Sequence, residues 1–389
     1  MMIYLSTENI ILISALLLCL IFQLIYYWGY LIKPYKHQKK IRKKEIDKET
    51  CQPPVSIIIT GTNEARNIEA HFPAILEQNY PEYEVIFVDN ASTDDTEDVL
   101  KRFSHIYKHL YHTYIPAGSK NLSRKKLALT LAIKAAKYDA LLFTEADSIP
   151  CSPDWVSSMA AHFSDKKKIV LGFTYLNQSF SKYVVYDYFF SNLQMLSLAL
   201  NHRTYMGNGR NLMYSKPFFN EQKGFLQSGF LDAGEDDLFI NQVATNDNVA
   251  VELSPESMVT FDLQSKKIWE EMRIVRMIAW RFYKKYSVYF WQGEKITRVL
   301  FYFLLITSLT FFASTSQWIF AGIATAFFLI RLFSQQFVLM KSAGLFKQPN
   351  FYFSVLFYDF IQPFVDSYFY FYVSREKRNN YYNWRYEKR

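Results

Sequence analysis

The sequence predicts an α/β fold with a mostly parallel sheet flanked by helices, joined to an N-terminal transmembrane helix and to C-terminal interfacial and transmembrane helices. Three observations predict it. Short runs of β-branched residues alternate with helical stretches between Cys51 and Leu263. An uncharged apolar run occupies Asn9 to Ile32. Further apolar, aromatic-rich runs fill the last third of a 389-residue chain in which Phe, Tyr and Trp make up 18% of residues. Aromatic rings with a polar edge favour a bilayer interface, so this crowding points to lipid.

The run NIILISALLLCLIFQLIYYWGYLI has the length, roughly 20 residues, that a helix needs to cross a hydrocarbon core. A cleaved signal peptide would need a basic start, a shorter apolar core and a small-residue cleavage site, which this start lacks. Lys33, Lys36, Lys39, Lys40, Arg42, Lys43 and Lys44 follow at once, and the positive-inside rule puts that side in the cytoplasm of a plasma (bacterial inner) membrane. The net charge of +8 is compatible with nucleic acid, anionic lipid or an anionic substrate, but its clearest cluster lies beside the membrane, which points to lipid headgroups and away from nucleic acid. Cys19, Cys51 and Cys151 form neither a disulfide framework nor a metal-binding spacing, which fits a reducing compartment.

The strand Val55 to Thr60 leads through a turn at Gly61 into a helix from about Ala65, and the strand Val85 to Val88 leads through a polar turn into a second helix. Ser123 can cap a third helix, after which the strand ALLFT delivers Glu145-Ala146-Asp147 into a turn. Ligands bind beyond the carboxyl ends of parallel strands, where Thr62, Asn63, Glu64, Asp89, Asn90, Glu145 and Asp147 fall. Any one of them alone is an ordinary turn or cap residue. Their recurrence at the same end of successive strands argues for a site.

The order of these motifs over about Pro53 to Leu263 resembles the inverting family 2 glycosyltransferases, whose catalytic domain is a GT-A-type, Rossmann-like fold. The resemblance implies that Thr62, Glu64, Asp89 and Lys125 bind the nucleotide of a UDP- or GDP-sugar donor. Lys126, beside Lys125, reads equally well as part of a solvated helix face. The family's Asp-x-Asp motif corresponds to Glu145-Ala146-Asp147, with Asp147 as main ligand of a divalent cation, Mg²⁺ or Mn²⁺, and Glu145 as a ribose or metal contact. Hard divalent ions favour such carboxylate oxygens. The segment MGNGRNLMYSK, with Gly207, Asn208, Gly209 and Arg210, looks like the family's acceptor-side segment, although a glycine loop without a substrate role fits too. Gly234-Glu235-Asp236-Asp237-Leu238 matches the Glu-Asp motif, which implies Asp236 as the base that deprotonates the acceptor hydroxyl, with Glu235 on the acceptor side. Helix capping by these carboxylates is the plain alternative.

After the core the resemblance thins. The Gln-x-x-Arg-Trp motif of processive members is absent, so processive synthesis is not supported. Arg273 and Arg276 are candidate diphosphate contacts, or cations snorkelling to lipid from an amphipathic helix. The stretch Phe180 to Leu200 presents an aromatic face to membrane or core. Apolar runs at Thr297 to Ser314 and Gln317 to Met340 predict a transmembrane hairpin, with Arg331 facing a partner helix or a wet cavity, or else a second span shorter than its apolar run. Phe351 to Val373 carries Asp359, Gln362, Pro363 and Asp366 and precedes a basic tail, which favours an interfacial or re-entrant segment with a cytoplasmic C-terminus.

The expected organisation is a transmembrane helix (1–33), a basic cytoplasmic linker (34–50), the catalytic domain (51–264), amphipathic interfacial helices (265–296), a transmembrane hairpin (297–340) and a re-entrant or interfacial segment with its tail (341–389). The expected activity is sugar transfer to a lipid-linked or membrane-proximal saccharide in cell-envelope polysaccharide or glycolipid synthesis. The rival from another class is a membrane-anchored nucleotide-sugar-binding subunit without turnover. A transporter is disfavoured by few spans and no internal repeat. The sequence fixes neither the sugar nor the oligomeric state.

Overall fold

The computed structural model describes residues 6–43, 52–115, 123–226, 228, 231, 233–263 and 265–376. The basic tail from Lys377 and residues 44–51, which include the end of the expected linker, lie outside these residues. Along the chain come α1 (Thr7–Ile25), a π-helical stretch Tyr26–Leu31, α2 (Lys33–Lys43), β1 (Val55–Gly61), α3 (Ala65–Leu76), β2 (Tyr83–Asp89), α4 (Thr96–Ile106) and β3 (Leu110–Tyr114). Then follow α5 (Arg124–Ala135), β4 (Ala140–Phe143), β5 (Ser148–Pro150), α6 (Trp155–Ala160), β6 (Ile169–Leu171), β7 (Thr174–Ser179), α7 (Lys182–Ala199), β8 (Leu212–Ser215) and α8 (Lys216–Glu221). The chain continues through α9 (Asp237–Val243), β9 (Val249–Val251), β10 (Val259–Leu263), α10 (Lys266–Trp280), α11 (Lys285–Ser314), α12 (Trp318–Leu345) and α13 (Ser354–Glu376).

Two compact units result, His37–Lys284 and the pair of segments Met1–Lys36 and Lys285–Arg389. In the first, seven strands form a sheet in the order β3-β2-β1-β4-β8-β6-β9. The four strands β3, β2, β1 and β4 are parallel, while β8 runs antiparallel to both β4 and β6. Strands β1 and β4 are buried from end to end or nearly so, as the uninterrupted Val, Ile and Leu runs require of a sheet covered on both faces. Helix α3 covers one face with Ile68, Phe72, Ile75 and Leu76, spaced to lie on one side of a 3.6-residue helix. Phe72, Phe87 and Trp155 anchor this core. A smaller sheet, β5-β10-β7, was not legible beforehand, since its three-residue β5 carries no periodicity of its own. The aromatic stretch before residue 200 forms α7, most of which is buried, in line with the core reading of that stretch.

The parallel register sets the site. Gly61 stands opposite Asp89, and Asp89 opposite Tyr114, so the turns after β1 and β2 leave the sheet side by side. Strand β4 ends opposite Ile58, and the chain beyond it carries Thr144 to Asp147 along the same edge, with the Thr144 amide donating to the Ile58 carbonyl at 3.2 Å.

In the second unit α1, α11 and α12 are long and apolar enough to cross a membrane. The run expected to begin at 297 starts earlier, because α11 takes in residues from Lys285 onward. The last apolar segment is one helix, α13, with Pro363 inside it. Arg331 faces partner helices: its guanidinium donates to Asp359 of α13 at 2.8 Å, to Tyr302 of α11 at 3.1 Å and to Gln23 of α1 at 3.2 Å. Arg298 pairs with Glu294 at 2.5 Å and with Asp359 at 3.3 Å. Gln335 adds a donor to Asp359 at 2.7 Å. These four charged side chains are essentially inaccessible, and the two cations match the two carboxylates, which is what burial of charge demands.

Candidate active site

The turn after β1 is held against the turn after β2. Asn63, at positive φ, donates its amide to Ser92 Oγ at 2.8 Å, and Thr62 donates its hydroxyl to the Asn90 carbonyl at 3.3 Å. The buried Asp89 accepts from the Ser92 hydroxyl at 2.5 Å. Glu64 accepts from Asn67 at 2.6 Å. Burial pushes the Glu64 carboxyl up to about 7, outweighing the Asn67 hydrogen bond, and the negative charges of Asp147 and Glu145 add to the rise. That coupling ties the end of β1 electrostatically to the end of β4.

Around β4 the charges interlock. Lys125, in the first turn of α5, bridges Glu145 at 2.9 Å and Glu235 at 2.8 Å. Arg210 pairs with Glu145 at 2.6 Å and with Asp147, donates to Ser148 Oγ at 3.1 Å, and lies over the Phe261 ring at 3.8 Å. Burial works against the Glu145 charge, yet Arg210 and Lys125 overcome it and hold the carboxyl at about 2.

Asp236 is the N-cap of α9 and accepts from the Asp237 amide at 2.8 Å and the Gly209 amide at 2.6 Å. A Cβ at position 209 would come within 3.1 Å of that carboxylate, so glycine permits the approach. Gly234 supplies a positive φ of 80° just before Glu235, and a side chain there would collide with Leu238. Burial raises the Asp236 carboxyl above its ordinary range, and the neighbouring Glu235 charge raises it further. A small pocket opens among these groups, lined by Lys125, Glu145, Gly209, Glu235 and Asp236 together with Thr60 and Tyr214.

Among the residues expected at the site, Lys125, Glu145, Asp147, Gly209, Glu235 and Asp236 therefore meet in one connected cluster, while Thr62 and Asp89 stand on the adjoining turns. Others take different places. Gly207 packs against Ile240 and Leu212, and the Asn208 amide donates inside the domain to Thr174, Tyr188 and Asn192, which fixes the loop and leaves that nitrogen engaged. Arg273 pairs with Asp187 of α7 at 3.2 Å, and Arg276 bonds Ser191 of the same helix, so these cations serve the α7–α10 contact.

Two residues carry more than the sequence suggested. Lys126 does not lie on a solvated face: its buried ammonium donates to the carbonyls of Ser228 at 2.5 Å, Leu231 at 3.0 Å and Ala233 at 2.7 Å, gathering the segment that leads to Glu235 and Asp236. Arg210 binds both acidic residues of the Glu145-Ala146-Asp147 turn. The only signal for Arg210 was its place directly after Gly209.

The donor set suits a divalent ion in part. Both Glu145 oxygens pair with cations, Oε1 with Lys125 and Oε2 with Arg210. Asp147 gives one oxygen to Arg210, and its other oxygen has no partner among the described residues. No three His, Cys, Asp or Glu side chains converge as a metal cage among the described residues. These residues fit an ion shared with a ligand's phosphate oxygens, not one caged by protein alone.

An α/β domain with acidic strand ends, a cationic pair and a capped carboxylate around one pocket is the architecture of the GT-A class of sugar-transfer domains. Residues 56–223 match the family described as "Glycosyl transferase family 2". It is similar to glycosyltransferase AglE of Haloferax volcanii, with 45% identity over 60 residues, 15% of this chain and 20% of that protein. It is also similar to a Bacillus subtilis protein bearing the name of a teichuronic acid biosynthesis glycosyltransferase, TuaG, with 32% identity over 91 residues, 23% of this chain and 35% of that one. The chain thus spans about a fifth to a third of the length of these curated relatives. A solved structure, a mannosyltransferase from Pyrobaculum calidifontis in complex with GDP-Man and Mn²⁺, shares the fold with a TM-score of 0.52 at 19% identity, covering 85% of this chain and 98% of that one.

Proposed function

We propose that this protein transfers a sugar, with inversion, from a UDP- or GDP-sugar to a lipid-linked or membrane-proximal saccharide during cell-envelope polysaccharide or glycolipid synthesis. One observation carries the reading: a half-buried carboxylate, Asp236, held by two backbone amides, lines the same pocket as Lys125 and Glu145. In a single displacement the acceptor oxygen attacks the anomeric carbon and loses its proton to Asp236, while the bond to the diphosphate breaks. A carboxyl raised by burial and by Glu235 is a stronger base than a solvated aspartate, which suits it to that proton. Lys125 and Arg210 offer positive charge where the departing diphosphate becomes more negative. Thr62, Glu64 and Asp89, on the turns beside this cluster, hold the nucleoside. Asp147 would hold a divalent ion together with the donor's phosphates, and that ion would supply Lewis-acid stabilisation of the leaving group.

The acceptor clause rests on the three helices able to span a bilayer and on the basic residues that follow the first of them, which by the positive-inside rule support a cytoplasmic catalytic domain. Tethering at the membrane raises the encounter rate with a lipid-borne substrate. The test incubates the detergent-solubilised full chain with Mn²⁺ and a panel of radiolabelled UDP- and GDP-sugars, with membrane lipid extract or soluble saccharides as acceptor. Label in the lipid fraction is expected. Transfer to soluble saccharides alone would remove the lipid clause, and saturable donor binding without transfer to any acceptor would favour a binding subunit.

A further inference from the structure

Arg210 is placed where an ion would go. Its guanidinium spans Glu145 and Asp147, its face rests on the Phe261 ring at 3.8 Å, and its backbone is fixed by Asn208 Oδ1 at 3.2 Å and Thr144 Oγ1 at 3.0 Å. The second oxygen of Glu145 belongs to Lys125. Of the four oxygens of Glu145 and Asp147, a divalent ion arriving alone would find only one without an ion-pair partner, on Asp147, beside the cations Arg210 and Lys125. Hard cations need six or more oxygen ligands, and like charges at such distances repel, so that encounter is unfavourable. A nucleoside diphosphate changes both terms. It brings several phosphate oxygens as ligands, and its negative charge offers Arg210 an alternative partner.

We propose that Arg210 is the resident counter-cation of Glu145 and Asp147, so that a divalent ion enters this site only together with a nucleoside diphosphate. The inference rests on the proposed donor chemistry and adds an order of assembly to it. Arg210 holds the two acidic side chains in place before the donor arrives, and it moves its hydrogen bonds to the diphosphate as the ion takes the Asp147 oxygen. Asp147 therefore never stands as an uncompensated charge.

Mn²⁺ binding to the full-length protein in detergent, read from the electron paramagnetic resonance signal of the free ion, tests this without turnover. For the wild type, Mn²⁺ affinity is expected to rise at least about ten-fold when UDP or GDP is added, beyond what the nucleotide binds by itself in buffer. Arg210→Gln removes the competing cation and keeps a polar side chain, and its Mn²⁺ affinity without nucleotide is expected to exceed that of the wild type at least about ten-fold. Arg210→Lys, which keeps the charge but not the two-pronged contact, should fall between them. The wild-type comparison needs no variant to fold. Equal wild-type affinity with and without nucleotide, or an unchanged nucleotide-free affinity in Arg210→Gln, overturns the inference and leaves the sugar-transfer reading standing. No Mn²⁺ binding to any form, even with UDP or GDP, overturns the metal-assisted donor chemistry and the inference with it.

Discussion

At the scale of single residues, the site depends on buried charges whose partners are named by geometry. Lys126 satisfies three carbonyls of the segment before Glu235, and each such group left unpaired in the interior costs about 1–3 kcal/mol. Lys126→Met should therefore lower kcat/KM at least about ten-fold through displacement of Asp236, with donor KM little changed because Lys126 does not line the pocket. Steady-state kinetics check both halves. Asp237 offers a test by pH. Burial and the Asp236 charge push its carboxyl up to about 7, against the Tyr283 hydroxyl that donates to it at 2.6 Å. Between the ordinary carboxylate range and about 7 the folded protein keeps a proton that the unfolded chain releases, so stability falls as pH rises through that window. Glu64, also at about 7, adds a contribution of the same sign. Thermal melts at pH 5 and pH 8 should show the wild type less stable at the higher pH by on the order of a few kcal/mol. Asp237→Asn should reduce that loss without abolishing it. Sequence reading reached Glu145 and Asp147 as acidic residues at a strand end, and Lys125 and Asp236 through the family resemblance of the motifs that hold them. It gave Arg210 only to an acceptor-side segment and Lys126 to a solvated face, because spacing says which residues share a helix turn, not which distant segment surrounds a cation.

At the scale of elements, the strands were legible and the polar joinery was not. Continuous apolar runs marked β1, β2 and β4, and the register that aligns Gly61 with Asp89 follows from their pairing. The short β5, β6 and β9 are strands only because neighbours pair with them, so nothing local announced them. In the apolar unit Arg331 announced a buried partner, since a charge in such a run is costly. Its partner, Asp359, lies on α13 and also accepts from Tyr302 at 2.8 Å and Gln335 at 2.7 Å. Asp359→Asn would leave two buried guanidinium groups with one carboxylate between them. A loss of about 3–5 kcal/mol is expected, seen as a lower melting temperature in detergent. An unchanged melting temperature would show that the four-charge network does not hold α13 to α11 and α12.

At the scale of the whole molecule, an α/β domain with a charged pocket shares its chain with three helices able to span a bilayer. Composition foretold that pairing, because aromatic and apolar residues crowd outside the region that reads as a globular core. What no motif supplies is the identity of sugar and acceptor, which depends on a few contacts rather than on the fold. The central claim is that Asp236 takes the acceptor proton in a transfer for which Lys125 and Arg210 support the leaving diphosphate. Its most direct test is the turnover of Asp236→Asn at saturating donor, beside a titration of donor binding to the same variant. Donor affinity within about three-fold of the wild type, with turnover reduced at least about a hundred-fold, is the predicted result. Turnover close to that of the wild type would contradict a catalytic role for Asp236 and leave it as the cap of α9.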